Sequence, residues 1–255
     1  MKPSSPSPPR RHRPRGLEIL HDDRDIMVVD KAPGLLTMSF HKDQDNTAER
    51  VLTDYVRKGY SRSRKRVFVV HRLDRDASGL LVFAKTYPMQ QKLKNNWERV
   101  EKLYLAAVLG HPTPASGLIE SRLAEDKDQF VSSTRAPGKG KPARTYFQLI
   151  KKTRSLSIVK VRLLTGRKNQ IRVHFAEMGH PVVGDAKYGP PSGKRFRRLA
   201  LHARHLAFAH PFDGRPLVFT TAIPPFFQEI AGGLEESDWE GTGTAASSQP
   251  FGHQF

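Results

Sequence analysis

Apolar and polar positions change period several times along the chain, and each change predicts an element. Ile26–Val29 is a short apolar run closed by the turn signal Ala32-Pro33-Gly34, which predicts a strand. Over 47–57, Val51, Leu52, Tyr55 and Val56 recur at helical spacing behind a capping Asn46 or Thr47, which predicts an amphipathic helix. Val67–Val70 and Leu80–Ala84 are apolar runs too short for a typical helix, and the second is the right length for a buried strand. Met89–Val100 reads as a helix with much exposed charge, and Lys102–Val108 returns to strand. Gly110–Gly140 holds turn residues and scattered charge, so it predicts hairpins and loops. Ala143–Ile150 and Leu156–Leu164 form a strand pair around a turn at 151–155. Gln170–Met178 sets Ile171, His174, Phe175 and Met178 on one helical face; Leu201–Ala209 and Leu217–Thr221 predict closing strands, and Pro224–Ile230 a short helix. Regular strand–helix alternation and a GxGxxG fingerprint are both absent, so the pattern favours an α+β fold: a mostly antiparallel mixed β-sheet core with peripheral helices.

Composition narrows the class. The 255 residues provide ample core, and 37 % of them are hydrophobic. Cysteine is absent, which removes disulfides, thiolate nucleophiles and cysteine-ligated metals and suits a reducing compartment. No apolar run approaches the roughly 20 residues that span a bilayer, and Met1–Gly16 lacks the apolar stretch of a secretory signal. The expectation is a cytoplasmic protein with no membrane association.

The formal charge of +18 points to an anionic partner, with nucleic acid first. Residues 1–16 carry Lys2, Arg10, Arg11, Arg13 and Arg15 with five prolines and no acid, and predict a disordered basic arm. Residues 231–255 carry Glu235, Glu236, Asp238 and Glu240 with no Lys or Arg, and predict a disordered acidic tail. Nearly all the positive charge therefore belongs to a folded body over 17–230.

The densest chemistry is His71-Arg72-Leu73-Asp74-Arg75-Asp76-Ala77-Ser78-Gly79, which runs directly into the apolar Leu80–Ala84. This places a carboxylate among guanidinium groups on a loop at the mouth of a sheet, an environment that keeps a carboxylate charged and in place. Asp76 lies two residues beyond Asp74 and points to the opposite face if the loop is extended, so it reads as structural. Three further segments qualify: Glu101-Lys102-Leu103-Tyr104-Leu105-Ala106, the strand-to-helix junction 164–174 with Arg167, Lys168 and Arg172, and the glycine-rich 179–189. Backbone N–H groups at the helix start within 164–174 favour an anion. Read one by one, Tyr104 fits a core aromatic and 179–189 fits scaffold.

Taken in order, these segments resemble the pseudouridine synthases of the RluA type. HRLDRDASGLLVFAKT resembles that family's HRLDRxTSGLLLxAK, EKLYLA its tyrosine motif, and TGRKNQIRVHFAEMGHPVVGDAKYG its TGRxHQIRxHxxxxGxPxxGDxxYG segment. LALHA followed by Leu206 and Phe208 resembles its closing strand, and DKAPGLL its early NKPxGLL turn. The resemblance spans about 17–230, with no counterpart of the family's optional N-terminal RNA-binding module. Ala77 stands where threonine is usual, and Lys168-Asn169 replaces a threonine–histidine pair, which leans toward the related RsuA-type pattern.

The resemblance implies conversion of uridine in RNA to pseudouridine. The glycosidic bond is cut, the uracil rotates, and a bond forms through C5, with no net redox change and no cofactor. It makes Asp74 the essential aspartate, acting on C1′ or the 2′ proton. Arg167 becomes its ion-pair partner, and Tyr104 the aromatic that packs against the base and works as acid or base at C5. Arg72 braces the flipped nucleotide, and Arg75, Lys31, Lys168 and Arg172 become phosphate contacts. Gln170 and His202 shape the pocket. The partner is ribosomal or transfer RNA, met by a monomer with no obligate protein partner, and 37–46, 110–142 and 190–198 are the loops that decide which RNA. Two rivals compete. A metal-dependent nuclease or phosphatase would use His174, His180, His202, His205 and His210, which lack the acidic company such a site needs. A non-catalytic RNA-binding or RNA-folding factor would keep only the scaffold.

Overall fold

The computed structural model describes residues 14–39, 46–58, 60, 62–190, 196 and 198–240. The arm expected over 1–16 lies almost wholly outside the described residues, as do much of 37–46 and 190–198 and everything beyond 240.

Eleven strands form one sheet. They are β1 (Leu17–Asp22), β2 (Ile26–Lys31), β3 (Phe68–Val69), β4 (Ser78–Ala84), β5 (Glu101–Leu109), β6 (Ser116–Glu125), β7 (Val131–Ser133), β8 (Lys141–Lys152), β9 (Leu156–Leu163), β10 (Leu201–Ala209) and β11 (Pro216–Thr220). The order is β1-β2-β4-β10-β5-β9-β8-β6-β7, with β3 on β4 and β11 on β10. Every pairing is antiparallel except β4 with β10, which run parallel through Ser78 opposite His202 and Gly79 opposite Ala203. The predicted mixed, mostly antiparallel sheet is the observed one.

The helices are α1 (Ala48–Arg57), α2 (Tyr87–Asn95), α3 (Gln170–Glu177), α4 (Pro225–Ile230) and α5 (Glu236–Glu240). Thr47 caps α1 by accepting from Arg50 N, and Thr86 caps α2 by accepting from Met89 N. The segment read as one helix over 89–100 begins earlier, because Thr86 and Pro88 form an N-terminal signal, and closes in a 3₁₀ turn at Trp97–Arg99.

Leu80–Ala84 reads as unbroken apolar sequence because both faces of β4 are covered. Leu81 and Phe83 enter the main core under α1, α3 and α4, while Leu80, Val82 and Ala84 enter a second core with Leu93 of α2 and Phe208. The main core also takes Ala231, Leu234 and Trp239, so the folded body continues to Glu240 rather than ending at 230. Glycine, serine and acidic residues dominate this stretch and mask its anchors. Trp239 lies 7 % exposed between two cations, Lys160 Nζ at 4.5 Å and the Arg204 guanidinium at 4.7 Å from its ring.

Candidate active site

The His71–Ala77 loop between β3 and β4 is fixed at each end. His71 Nε2 accepts from Val82 N at 3.1 Å while the ring stacks on Trp97 at 4.4 Å, and burial lowers the imidazole pKa to about 3, so it serves as a neutral acceptor. Thr37 Oγ1 donates to Leu73 O and accepts from Leu73 N, at 3.0 and 3.1 Å. Lys31 Nζ donates to the carbonyls of Ala32, Leu35 and Arg75 at 2.9 to 3.0 Å. At the far end, Arg198 donates to Ser78 Oγ and leaves the hydroxyl proton free to go to His202 Nδ1, while His202 Nε2 meets Thr221 Oγ1 at 2.7 Å. Gly79 adopts φ +111°, and a Cβ there would lie 2.3 Å from the Ala203 carbonyl oxygen. The glycine is what lets β4 and β10 run side by side.

The anchored loop presents Asp74 to the start of α3. Arg172, in the first turn of that helix, donates from one guanidinium nitrogen to Asp74 Oδ2 at 2.9 Å. Its Nε and remaining nitrogen grip Asp185 in a two-point contact at 2.7 Å each. Burial acts to raise the pKa of the Asp185 carboxyl, yet Arg172 and the backbone N–H groups of Tyr188 and Lys187 hold it below the usual carboxylate range. A fully buried carboxylate thus aims an arginine at a partly exposed one, whose side chain is 26 % accessible.

Asp74 lines a cleft of about 850 Å³. Tyr104 of β5 forms part of its wall; burial pushes the phenol pKa well up and the Asp74 charge adds to the shift. Arg66, Arg72, Arg75, Lys94, Arg167 and Lys168 also line the cleft, so positive charge surrounds the carboxylate. A cationic cleft of this size around one carboxylate suits a polyanionic partner.

The sequence matches the RNA pseudouridylate synthase family over residues 25–177. The chain belongs to that family. It is 34 % identical over 229 residues to the ribosomal large subunit pseudouridine synthase D of Escherichia coli K12, covering 84 % of this chain and 69 % of the relative. It is also 34 % identical over 209 residues to the dual-specificity RNA pseudouridine synthase RluA of the same organism, covering 80 % and 91 %. Among solved structures, the human RNA pseudouridylate synthase domain containing 1 superposes with a TM-score of 0.70 at 26 % identity, over 94 % of this chain and 96 % of that one. The chain is therefore an RNA pseudouridine synthase, an isomerase that acts on RNA.

In this pseudouridine synthase the expected residues are distributed unevenly. Asp74, Tyr104, Arg72, Arg75, Arg167, Lys168, Gln170 and Arg172 all line the cleft. The ion pair expected between Asp74 and Arg167 is instead made by Arg172. Arg167 belongs to the turn before α3 and donates to Pro142 O at 2.9 Å, whereas α3 begins at Gln170 and carries Arg172 to the loop. Lys31 is not a phosphate contact, because it is fully buried and spends its donors on three carbonyls. Arg75 donates to Gly34 O at 3.3 Å, and Lys168 pairs with Glu125, so both have intramolecular duties as well. Gln170 accepts from Arg167 N and Thr165 Oγ1 and donates to Arg144 O and Thr145 Oγ1, which pins the turn ahead of α3. His202 is buried away from the cleft and serves as scaffold.

Sequence reasoning missed Asn169, Tyr188 and the function of Asp185. The Gly-Asp-x-x-Tyr-Gly string was visible, but its reach to Asp74 through Arg172 was not. The histidines weighed as metal ligands disperse: His174 meets Ser121 and Thr145, His180 meets Leu109 O, and His210 meets Asp23. Among the described residues no group of three or more His, Asp or Glu side chains is placed to hold a metal ion, and no helix is long and apolar enough to cross a membrane.

Proposed function

We propose that Asp74 is the carboxylate that acts on the target uridine, by attack at C1′ or removal of the 2′ proton, and that the target lies in ribosomal or transfer RNA. One observation carries the reading. Asp74 projects into the cleft beside Tyr104 and is gripped by Arg172, which is itself anchored by buried Asp185. An accessible carboxylate held by a buried support is arranged for work on a bound group.

The nucleotide leaves its stack, at a cost of a few kcal/mol that is smaller in a loop than in a duplex. Arg72, exposed at the cleft, braces the flipped nucleotide, and Arg66, Arg75, Lys94 and Lys168 draw in the flanking phosphates. Tyr104 packs against the uracil. Its raised pKa favours the protonated phenol, so it begins as a donor and not as a base. Cleavage at N1, rotation of the uracil and bonding of C5 to C1′ lose one proton from C5 and return one to N1, so the overall change is an isomerisation.

The ribosomal reading draws on the relatives named for the ribosomal large subunit, and the transfer RNA reading keeps a second substrate class open in line with the relative named dual-specificity. Absence of cysteine suits the reducing cytoplasm, where we place the protein. Pseudouridine mapping of ribosomal and transfer RNA from cells lacking the protein tests the target. At least one site vanishes and returns on complementation with the wild type but not with Asp74→Asn. A map identical to that of wild-type cells contradicts the reading.

A further inference from the structure

The contact between Arg172 and Asp74 leaves one torsional freedom. Arg172 reaches only Oδ2, since its other nitrogens are engaged with Asp185. The terminal torsion of an aspartate is broad, so a one-point grip fixes the position of one oxygen and not the plane of the carboxylate.

Asn169 supplies the second point. Its amide is assigned with the NH₂ toward Asp74: the opposite orientation would accept one contact from Arg172 at 3.3 Å but set the carbonyl oxygen 3.1 and 3.2 Å from the two carboxylate oxygens. That NH₂ donates to Asp74 Oδ1 at 3.1 Å and to Oδ2 at 3.2 Å, bridging both oxygens. The Asn169 carbonyl accepts from the Tyr188 hydroxyl at 3.0 Å, and that hydroxyl accepts from Val131 N at 3.2 Å. Every member of the chain thereby has a defined donor direction. Tyr188 also lies beneath the Arg172 guanidinium, 5.2 Å from ring centre to carbon, so one ring supports both grips. Asn169 sits at φ +54°, a conformation that asparagine tolerates better than most residues. Its amide adds no charge, so it orients the carboxylate without neutralising it.

We propose that Asn169 is a positioning residue that sets the plane of the Asp74 carboxylate for reaction, with Tyr188 fixing the amide; this rests on the reading of Asp74 given above. Besides the cations that line the cleft, Arg172 on α3, Lys31 on β2 and Tyr104 on β5 feel the Asp74 charge, and none of these three bridges its two oxygens.

The test uses full-length protein and RNA labelled with tritium at uracil C5, drawn from cells lacking the protein, with release to solvent followed in single turnover. Asn169→Gly accepts the positive φ and removes the amide. It is expected to keep its melting temperature and RNA affinity while the single-turnover rate falls roughly 100-fold, the scale of a misplaced reacting group. Asn169→His, which can donate one hydrogen bond at the same φ, is expected to recover most of that loss. Asn169→Asp sets a second carboxylate against Asp74 and is expected to move the acid limb of the rate–pH profile up by about one unit or more. Should Asn169→Gly fail to fold, the near-isosteric Asn169→Asp carries the test alone. A wild-type rate in Asn169→Gly, or an unmoved acid limb in Asn169→Asp, overturns the proposal when Asp74→Asn is inactive. Turnover by Asp74→Asn overturns the reading of Asp74 itself.

Discussion

At the scale of single residues, the sequence placed Asp74 and Tyr104 in one cleft and misassigned the arginine. Arg167 and Arg172 stand five positions apart in one basic segment, and sequence alone does not say where the helix begins. Once Gln170 opens α3, Arg172 falls in its first turn and Arg167 in the turn that precedes it. Arg172→Ala should therefore lower the single-turnover rate by roughly 100-fold or more, because it removes a charge-assisted contact to Asp74 and strands Asp185. Arg167→Ala should cost less than about 10-fold, since Arg167 holds a carbonyl at the rim. Equal losses in the two variants would contradict this division. Asn169 and Tyr188 were not legible because their contribution is a geometry of hydrogen bonds, and an asparagine in a polar segment carries no periodic signal.

Among the elements, period served well wherever one or both faces of a strand are buried. β10 was read with its observed bounds, and β4 within two residues, because their alternate positions fill two different cores. β6 was read only as part of the hairpins and loops over 110–140, without bounds, because one face is largely solvent-exposed and its apolar positions do not alternate cleanly. α5 was missed because a single tryptophan anchors it in an acidic, glycine-rich context. The parallel pairing of β4 with β10 depends on Gly79. Gly79→Ala should destabilise the protein by about 3 kcal/mol or more, since the added Cβ meets backbone that has no room to yield and φ is unfavourable. A melting temperature within a few degrees of wild type would contradict that account. The buried histidines that link elements impose a pH dependence. Burial lowers the pKa of His202 to about 3 and of His174 to about 4, so the folded protein refuses a proton that the unfolded chain accepts near 6.5. Stability is then full above pH 6.5 and declines as pH falls toward those folded values, by about 2 kcal/mol per histidine at pH 5. Urea midpoints at pH 7.5 and 5 check the sign, and His202→Gln should flatten the decline.

For the whole molecule, most of the positive charge belongs to the folded body and five cations belong to the arm. The +18 charge promised an anionic partner, and the cleft concentrates part of it around one carboxylate. The logarithm of the RNA association constant should fall linearly with the logarithm of salt. Removing residues 1–16 should reduce the magnitude of that slope by roughly 3 to 4, because five cations are lost; an unchanged slope would show that the arm does not touch RNA. The acidic segment behaves differently. Trp239→Ala should destabilise the fold by about 3 kcal/mol, since the ring is buried between Lys160 and Arg204.

We place the chemistry on Asp74, with Arg172 and Asn169 holding it for that purpose. The most direct measurement is tritium release from C5-labelled RNA by purified Asp74→Asn, taken with the dissociation constant for the same RNA. The expected result is no release above background, with an affinity within a few-fold of wild type. Wild-type-like release by Asp74→Asn would contradict that placement.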